Sequence, residues 1–481
     1  MRNTKHQRLI VWLRRELRVQ DNLALWMAVH DAREVVPLYI VDSRFDTLAP
    51  AKRKVILDAL VDLRTSVRRL GGELFVRAGD PEKTLHQLIE STGAVGVYLT
   101  RDEDPGVLHN DENIKTSVET SGKLWNVFED RVLIQPGSLV SVSAHAPYTV
   151  FTPYNNAWRK MSHNIPPPLA RIRRLVSPKA PAGEIPSADS GQLRGGSLKF
   201  PSGGETAARK ALRAFIDHRL GNYGTQRDFP GLDGTSRLSH HLSTGSLGVR
   251  TLYEAIHSKR ASMARVQRNS ADTFVDELVW REFYYEILRD FPYVVSGSFR
   301  QPFDRLEWPG RQGDLEAWKA GATGYPIVDA GMRQLKTEGW MHNRMRMIVA
   351  SFLVKDLHIH WKSGEEHFMN HLADGDIALN NGGWQWSAGT GTDAQPWFRI
   401  FNPVSQSRKF DPEGHFVRRY IPELQNVPLR YLHAPWLMPG SIQQTVGCII
   451  GKHYPKPIVD HDRERKKTIQ LYSWVRGSGP A

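Results

Sequence analysis

The first third of the chain alternates short apolar runs with amphipathic segments, and this alternation constrains the fold more than any other feature. The runs 9–13 (LIVWL) and 35–41 (VVPLYIV) are typical of strands buried on both faces. Residues 52–70 place apolar side chains at helical spacing and stop at a Gly-Gly pair. Three more strand-like runs follow, at 74–76, 95–99 and 124–128. The alternation predicts a Rossmann-like, doubly wound parallel sheet. No GxGxxG motif follows the first strand, which excludes an ordinary dinucleotide site.

The rest of the chain has a different pattern. Residues 136–205 contain seven prolines between Pro166 and Pro201, with Gly and Ser between them, and predict a long connector on the surface. From residue 206 onward the periodicity is helical, and it is clearest at 277–288, 332–353 and 365–372. The sequence therefore predicts an α/β domain over residues 1–135, an interdomain connector over 136–205 and an all-α domain over 206–481.

The charge of the chain is distributed unevenly. Its 481 residues carry a formal net charge of +13, but residues 1–135 contain 20 basic and 20 acidic side chains. The whole excess therefore lies in residues 136–481. Such a bias favours a polyanionic partner such as nucleic acid, and the alternative is a basic protein with scattered arginines.

Cysteine content and hydropathy limit the cellular compartment and the kinds of metal site that the sequence predicts. Cys448 is the one cysteine, so an internal disulfide, a zinc–cysteine cluster and an iron–sulfur cluster are all excluded. No secretory leader and no run of 18 apolar residues are found, which predicts a cytoplasmic protein without membrane association. His358 and His360 lack further ligands at metal-binding spacing, so no metal site is expected.

Residues 374–403 (DGDIALNNGGWQWSAGTGTDAQPWFRIFNP) are unusually dense in Gly, Asn and Trp. They show no period of 3.6 or 2, which predicts an irregular, packed loop with short helical turns. Gly382 and Gly383 would let the backbone approach a large flat group. Long ordered loops are usually functional, and the alternative is a Trp-rich core loop.

A polar segment at 222–239 (NYGTQRDFPGLDGTSRLS) is a candidate anion site. The hydroxyls of Thr235, Ser236 and Ser239, with the Arg237 guanidinium among them, could bind a diphosphate through N–H and O–H donors. The alternative is a generic polar loop.

Two predicted helices each carry a mixed polar and aromatic face. The first face has residues at i, i+3, i+4 and i+7: Glu277, Trp280, Arg281 and Tyr284. The second contains Trp340, Asn343, Arg344 and Met347. Such faces suit a site that stacks a base, hydrogen-bonds its edge and contacts phosphate. The alternative for the first is an exposed, salt-bridged face with an incidental Trp.

The 374–403 segment and the TSRLS motif resemble the flavin- and lesion-binding segments of class I cyclobutane pyrimidine dimer (CPD) photolyases, within the photolyase/cryptochrome family. The resemblance extends from VWLRRELRVQDN near the N-terminus to the C-terminal helices. It implies an α/β antenna-binding domain and an all-helical domain that binds FAD and damaged DNA. The implied activity is that of a monomeric deoxyribodipyrimidine photo-lyase, which splits CPDs in UV-damaged DNA by electron transfer from photoexcited FADH⁻.

The resemblance also implies roles for individual residues. Cofactor contacts are implied for Tyr223, Thr235, Ser236, Arg237, Leu238, Ser239, Arg281, Arg344, Asp374, Gly375, Asp376 and Asn380. Lesion contacts are implied for Glu277, Trp280, Tyr284, Asn343, Arg344, Met347, Trp386 and Gln406. Glu277 would hydrogen-bond the dimer, Asn380 would face flavin N5, and Arg344 would pair with Asp374 beside the flavin. An electron-transfer chain is implied for Trp384, Trp361 and Trp308.

Two questions stay open at the level of sequence. Residues 100–105 (TRDEDP) resemble the Asn-x-Asp-x-x-Pro motif of deazaflavin-binding members, with Thr100 in place of Asn, and the Asn-Glu pair of folate-binding members is not evident. The antenna is therefore either 8-hydroxy-5-deazaflavin or 5,10-methenyltetrahydrofolate. The alternative function is a cryptochrome-like FAD blue-light photoreceptor without repair activity, and the intact lesion-contact set favours the lyase.

Overall fold

The computed structural model describes residues 5–141, 146–187 and 198–477, and its N-terminal part is a five-stranded parallel sheet. The strands are His6–Leu13 (β1), Ala32–Val41 (β2), Phe75–Ala78 (β3), Gly96–Thr100 (β4) and Leu124–Phe128 (β5). They lie in the order β3-β2-β1-β4-β5, and every neighbouring pair is parallel. The predicted doubly wound sheet is confirmed.

Both faces of this sheet are covered, which explains the continuous apolar runs. The helices of eight or more residues in this domain are Leu23–Asp31 (α1), Pro50–Arg69 (α2), Pro81–Thr92 (α3) and Pro105–Thr120 (α4), and a short helix spans Ser43–Thr47. Leu9 and Val11 of β1 pack into a core that contains apolar residues of α2. Ile10 and Trp12 point to the opposite face and pack into a core that contains residues of α3. Successive side chains of a strand alternate between faces, so both parities must be apolar.

The predicted connector does more than cross the surface. Its later part covers the edge strand β3, where the Val76 amide donates to Ala182 O at 2.7 Å. Its earlier part forms a helix, Phe151–Met161 (α5), whose Tyr154 and Trp158 are buried in the core of the helical domain. A purely surface connector was therefore wrong, because these aromatic side chains bury more apolar area than a surface path allows. Residues 142–145 and 188–197 of the predicted connector lie outside the described residues.

The C-terminal part is helical, as predicted. Its helices of eight or more residues are Glu205–His218 (α6), Val249–Ala261 (α7), Arg265–Asp290 (α8), Gln312–Ala320 (α9), Pro326–Glu338 (α10), Asn343–Ser351 (α11), Trp361–Met369 (α12), Ile377–Ala388 (α13), Pro403–Phe410 (α14) and His461–Gly477 (α15). Over the part of the chain that the structure describes, no helix has the length and apolarity needed to cross a membrane.

The helix predicted over 332–353 is interrupted at Gly339. This residue ends α10 in the left-handed region, at φ +59°. A Cβ on Gly339 would lie 2.2 Å from the Cβ of Ala51 in α2, so only glycine permits this close approach of the two domains. The chain restarts as α11, capped by the His342 side chain. Trp340 directly follows this break and lines the cavity described below.

The loop predicted over 374–403 was partly wrong, because residues Ile377–Ala388 form the regular helix α13. Asp376 caps it by accepting the amides of Ala378 and Leu379 at 3.2 and 3.3 Å. The helix has no polar face and therefore no amphipathic period. Gly382 serves packing, since a Cβ there would lie 2.2 Å from the Tyr284 ring.

Candidate active site

A cavity of about 530 Å³ lies between α8, α11, α13 and the 235–243 segment. Its volume is in the range typical of small-molecule sites. Most residues singled out in the sequence line it: Tyr223, Thr235, Ser236, Arg237, Leu238, Ser239, Glu277, Trp280, Arg281, Tyr284, Asn343, Met347, Asp374, Gly375, Asp376, Asn380, Trp384 and Trp386. Side chains separated by more than 160 positions in the chain thus share one cavity.

Arg344 does not form the pair with Asp374 that the resemblance implied. Its Nη2 donates to Asp228 Oδ1 at 2.8 Å, and its guanidinium lies 4.3 Å from the centre of the Phe410 ring. The partner of Asp374 is instead Arg346, with Nη2 and Oδ2 2.8 Å apart. The predicted Arg344–Asp374 pair was therefore wrong. Two residues along a helix turn a side chain by about 200°, so Arg344 and Arg346 point to different sides of α11.

Three other predicted residues also lie outside the cavity lining. Gln406 is half-buried on α14 and is not part of the wall. Trp361 is buried at the start of α12, and Trp308 is half-buried among residues that pack against α15. Trp361 and Trp308 were predicted as later members of an electron-transfer chain, so their distance from the wall does not count against that role.

The Arg346–Asp374 pair puts paired charges at the cavity wall. Burial acts to raise the pKa of Asp374, but the Arg346 guanidinium outweighs it and holds that pKa below its ordinary value. Asp374 is therefore an anion with a cation beside it. Arg346 was missed by sequence reasoning, although its position on α11, three residues from Asn343, is a helical-face signal that could have found it.

Asp376 connects the site to the α/β domain. Besides capping α13, its carboxylate pairs with Arg15 and with Arg131, and it accepts the Tyr285 hydroxyl at 3.0 Å. Burial would raise its pKa, but Arg15 and Arg131 outweigh burial and hold the pKa far below the ordinary value. Arg15 is the second residue after strand β1. The N-terminus of α13 is therefore fixed by a charge from the other domain.

The 235–239 segment supplies hydrogen-bond donors to the cavity. Arg237 adopts φ +55°, an uncommon conformation for a residue with a side chain, and such strain is often found at functional sites. Its guanidinium pairs with Glu338 at 3.0 Å and lies 3.7 Å from the centre of the Trp340 ring. The hydroxyls of Thr235 and Ser239 also line the wall. Hydroxyl and guanidinium donors of this kind suit a diphosphate.

The mixed face of α8 lines the cavity as the sequence predicts. Glu277 pairs with Arg227 at 2.8 Å, and burial raises the pKa of Glu277 despite this partner. Arg227 was also missed, since nothing in the sequence relates it to Glu277 50 positions away. Arg281 differs from the expected phosphate contact. It is buried and donates to the Arg131 carbonyl at 2.6 Å, so it braces the inner wall.

Asn380 is held in one orientation. Its Nδ2 donates to the Glu365 carbonyl at 2.9 Å, which leaves its side-chain oxygen as the atom available to the cavity. The neighbouring Asn381 donates to the Glu365 carboxyl group at 2.9 Å. Glu365 on α12 thus braces the helix that carries Asn380.

Replacing Glu365 with glutamine is expected to change the pH dependence of stability. Burial raises the pKa of Glu365 from 4.5 to about 7. The folded state then holds this proton more tightly than the unfolded chain, so the contribution is complete below about pH 4.5 and is lost as the pH rises through 7. Glutamine keeps the acceptor for Asn381 but cannot ionise. As the pH rises through this range, the free energy of unfolding of the variant should increase relative to that of wild type by roughly 1–2 kcal/mol. Thermal melting at a series of pH values measures this difference. A difference that does not vary with pH would contradict the assignment.

The three predicted relay tryptophans occupy successive depths. Trp384 lines the cavity, Trp361 is buried, and Trp308 is half-buried. The His360 ring lies between the last two, with centroids 5.5 Å from Trp361 and 5.1 Å from Trp308. The buried Trp318 ring lies 6.1 Å from Trp384, a neighbour that the sequence did not indicate.

The residues that line the cavity fit FAD. The cavity has the required size class, a donor-rich segment at 235–239 and the Arg346–Asp374 pair. Two buried atoms of wall residues, Asp374 Oδ1 and Trp384 Nε1, make no hydrogen bond within the described residues. Buried polar atoms are normally satisfied, so a wall of this kind is completed by a polar ligand.

Comparison with known proteins gives a consistent family. Residues 274–474 match the FAD binding domain of DNA photolyase, and residues 9–171 match the DNA photolyase model. Deoxyribodipyrimidine photo-lyases from Agrobacterium fabrum and Escherichia coli are each 38% identical, over 97% of this chain and 98% of theirs. Among solved structures, a class III photolyase from Agrobacterium tumefaciens matches at TM-score 0.91 and 37% identity, with 99% of both chains covered.

A cryptochrome from Synechocystis matches at TM-score 0.88 with 28% identity, over 98% of this chain and all of that one. Both solved structures share the overall fold of this chain, and the two family models match its α/β and helical parts. The chain therefore belongs to the DNA photolyase family and carries that family's FAD-binding domain.

Proposed function

We propose that this protein is a deoxyribodipyrimidine photo-lyase that splits cyclobutane pyrimidine dimers in UV-damaged DNA under blue or near-UV light. The observation that carries the proposal is a single cavity with two kinds of wall. One contains Asp374, Asn380 and Trp384, which suit a flavin. The other contains Glu277 and Trp280, which suit an unstacked pyrimidine pair. Both chemistries must meet within one cavity for repair.

Reduced FAD, when bound, supplies the electron that opens the dimer under light. The chain holds this group through the donors of 235–239 and offers it the Asn380 side-chain oxygen. Arg346 and Asp374 provide a cation and an anion at the wall. The cation favours a reduced, anionic form of the bound group, since an opposite charge nearby stabilises the charged state.

The lesion is expected to contact the mixed face of α8 and the side chains of Asn343 and Met347. Photolyases take the target out of the base stack before they act on it, so the pyrimidine pair would enter the cavity flipped. Trp280 would stack on a pyrimidine, and Glu277 would hydrogen-bond its edge. Enclosing the dimer in the cavity orients it and excludes water.

Photorepair of a defined substrate tests the proposal. FAD-loaded, reduced protein is mixed with a duplex that contains one thymine dimer, and intact thymines are measured with and without blue light. We expect repair in light, none in darkness and no cut in the backbone. Absence of repair in light at full FAD occupancy would refute the proposal.

A cryptochrome-like photoreceptor is the second candidate, favoured by the fold similarity to the Synechocystis cryptochrome. The same assay separates the two functions, because a photoreceptor would absorb blue light without restoring thymines. The Glu277, Trp280 and Asn343 set favours repair, since a receptor that signals through a protein partner has no need of a lesion contact.

The class within the family and the antenna are also proposals. The sequence favours class I, and the similarity to a class III structure makes class III the alternative.

For the antenna we propose the crevice at the carboxyl ends of β1 and β4, where the strand order changes direction. Buried Thr100 Oγ1 and Glu103 Oε1 make no hydrogen bond there within the described residues. An absorbance spectrum of released cofactors distinguishes deazaflavin from folate.

Replacing Trp384 with phenylalanine is expected to abolish light-driven reduction of bound oxidised FAD. The indole lines the cavity and is the first proposed donor, and phenylalanine is much harder to oxidise. Repair by chemically pre-reduced protein should persist, because the relay serves only reduction. Flavin absorbance under illumination measures the first effect.

Trp318→Phe is the matched control, because Trp318 also touches the Trp384 ring but lies outside the proposed route through Trp361. This variant should keep photoreduction close to wild type. If Trp318→Phe blocks reduction and Trp361→Phe does not, the electrons take the other branch.

A further inference from the structure

Trp280 rests on an aromatic ring from outside α8. Phe151, the first residue of α5, stacks face to face on it, with centroids 3.7 Å apart and planes 4° apart. Phe283 contacts both rings edge-on, at 5.9 Å from Phe151 and 5.6 Å from Trp280. Since Phe151 covers one face of the indole and Trp280 lines the cavity, the opposite face is the one left to stack on a base.

Phe151 is in turn fixed by the loop after α13. Helix α5 has no capping side chain of its own at Val150. The Asp393 carboxylate takes this role by accepting the Phe151 amide at 3.0 Å, which is favourable at a helix N-terminus. Thr392 Oγ1 donates to the Thr149 carbonyl at 2.5 Å beside it. Asp393 adopts φ +40°, a strained conformation that its surroundings impose.

The same assembly reaches the helix that carries Asn380. The Tyr284 ring contacts Trp280 at a tilt, with centroids 5.6 Å and planes 30° apart, and it packs on Gly382 of α13. A continuous row of contacts therefore joins α5, the lesion face of α8 and α13. Movement of the indole would break the nearly parallel stack with Phe151 and the ring contact with Tyr284.

We infer that Phe151 and Asp393 are positioning residues that hold the Trp280 indole ready for a flipped pyrimidine dimer, so that α5 helps to set discrimination between damaged and undamaged DNA. This inference rests on the proposed function, because it assumes that Trp280 stacks on the lesion. An indole that is already oriented loses less side-chain freedom when the lesion binds, which strengthens binding. The gain applies only to DNA whose bases reach the indole. Undamaged duplex, whose bases stay stacked, does not reach it.

The test compares Phe151→Leu with Phe151→Tyr. Leucine keeps apolar volume without a flat ring, and tyrosine keeps the ring. Anisotropy in darkness with FAD-loaded protein gives Kd for a duplex with one thymine dimer and for the undamaged duplex. We expect Phe151→Leu to weaken dimer binding by about threefold to tenfold, the usual size of an aromatic pair. Undamaged binding, FAD content and repair yield per photon at saturating substrate should not change. Phe151→Tyr should match wild type.

Substitutions of Asp393 test the same inference without changing any aromatic ring. Asp393→Ala removes the acceptor for the Phe151 amide and should weaken dimer binding selectively, whereas Asp393→Asn keeps an acceptor oxygen and should not. The inference is overturned if Phe151→Leu and Asp393→Ala both bind the dimer-containing duplex as tightly as wild type. It is also overturned if they lose the same affinity for the damaged and the undamaged duplex. Failure of wild type to repair in light would instead refute the proposed function, so the two failures are distinguishable.

Discussion

Asp376→Ala is expected to lower the free energy of unfolding by about 3–5 kcal/mol and to leave the purified protein largely without FAD. The substitution removes the cap of α13, which carries Asn380 and Trp384. It also leaves the buried Arg131 without its carboxylate partner, whereas the half-buried Arg15 keeps Asp102. An unpaired buried cation costs far more than a lost surface ion pair, because it keeps its desolvation cost without the compensating attraction.

Two variants separate the cap from the charge. Asp376→Asn keeps an oxygen for the amides of Ala378 and Leu379 but loses the charge, and should lie between wild type and Asp376→Ala. Arg15→Met should be milder, since Arg131 still pairs with Asp376. Chemical denaturation gives stability, and flavin absorbance per protein gives occupancy. If Asp376→Ala unfolds like wild type and retains FAD, the carboxylate does not hold the domains and the site together.

Glu277→Ala is expected to lower repair yield per absorbed photon by about 10- to 100-fold, the range for a hydrogen bond to a charged group. Charge develops on the dimer during repair, and a positioned hydrogen-bond donor stabilises it. Burial raises the pKa of Glu277 against the opposing effect of its partner Arg227, so this carboxyl takes up a proton more readily than an ordinary glutamate. FAD content should change little, because Glu277 belongs to the lesion wall.

Glu277→Gln is the matched control, because its amide can still donate a hydrogen bond, and it should lose less activity than Glu277→Ala. The yield is measured on pre-reduced protein at saturating dimer, so that weaker binding does not contribute. Wild-type yield in Glu277→Ala would mean that the residue serves only its ion pair with Arg227.

The comparisons confirm the family, the two-domain fold and the photolyase function that the sequence predicts. The fold followed from local signals, and the family and function followed from the resemblance of the 374–403 and TSRLS segments. The runs in β1 and β2 are apolar at every position because both faces of the sheet are covered. The face of α8 was readable because helical spacing places Glu277, Trp280 and Tyr284 together whatever surrounds them.

The errors arose where the local pattern was ambiguous. Helix α13 lacks a polar face because protein and cavity surround it, so periodicity could not reveal it. The break at Gly339 depends on contact with Ala51, nearly 300 positions away in the chain. Arg344 and Arg346 are equally plausible partners for Asp374 in sequence, and only the orientation of α11 decides between them.

The sequence by itself determined the class of each domain, because this depends on composition and short-range spacing, and its resemblance to a known family supplied the family and most of the residues that line the cavity. Only the tertiary structure decided which distant side chains meet. Arg15 reaches Asp376, Arg227 reaches Glu277, and Phe151 stacks on Trp280. Such contacts join residues 50 to 361 positions apart, and no local period encodes them. Their geometry follows from how the helices pack, which is a property of the whole fold.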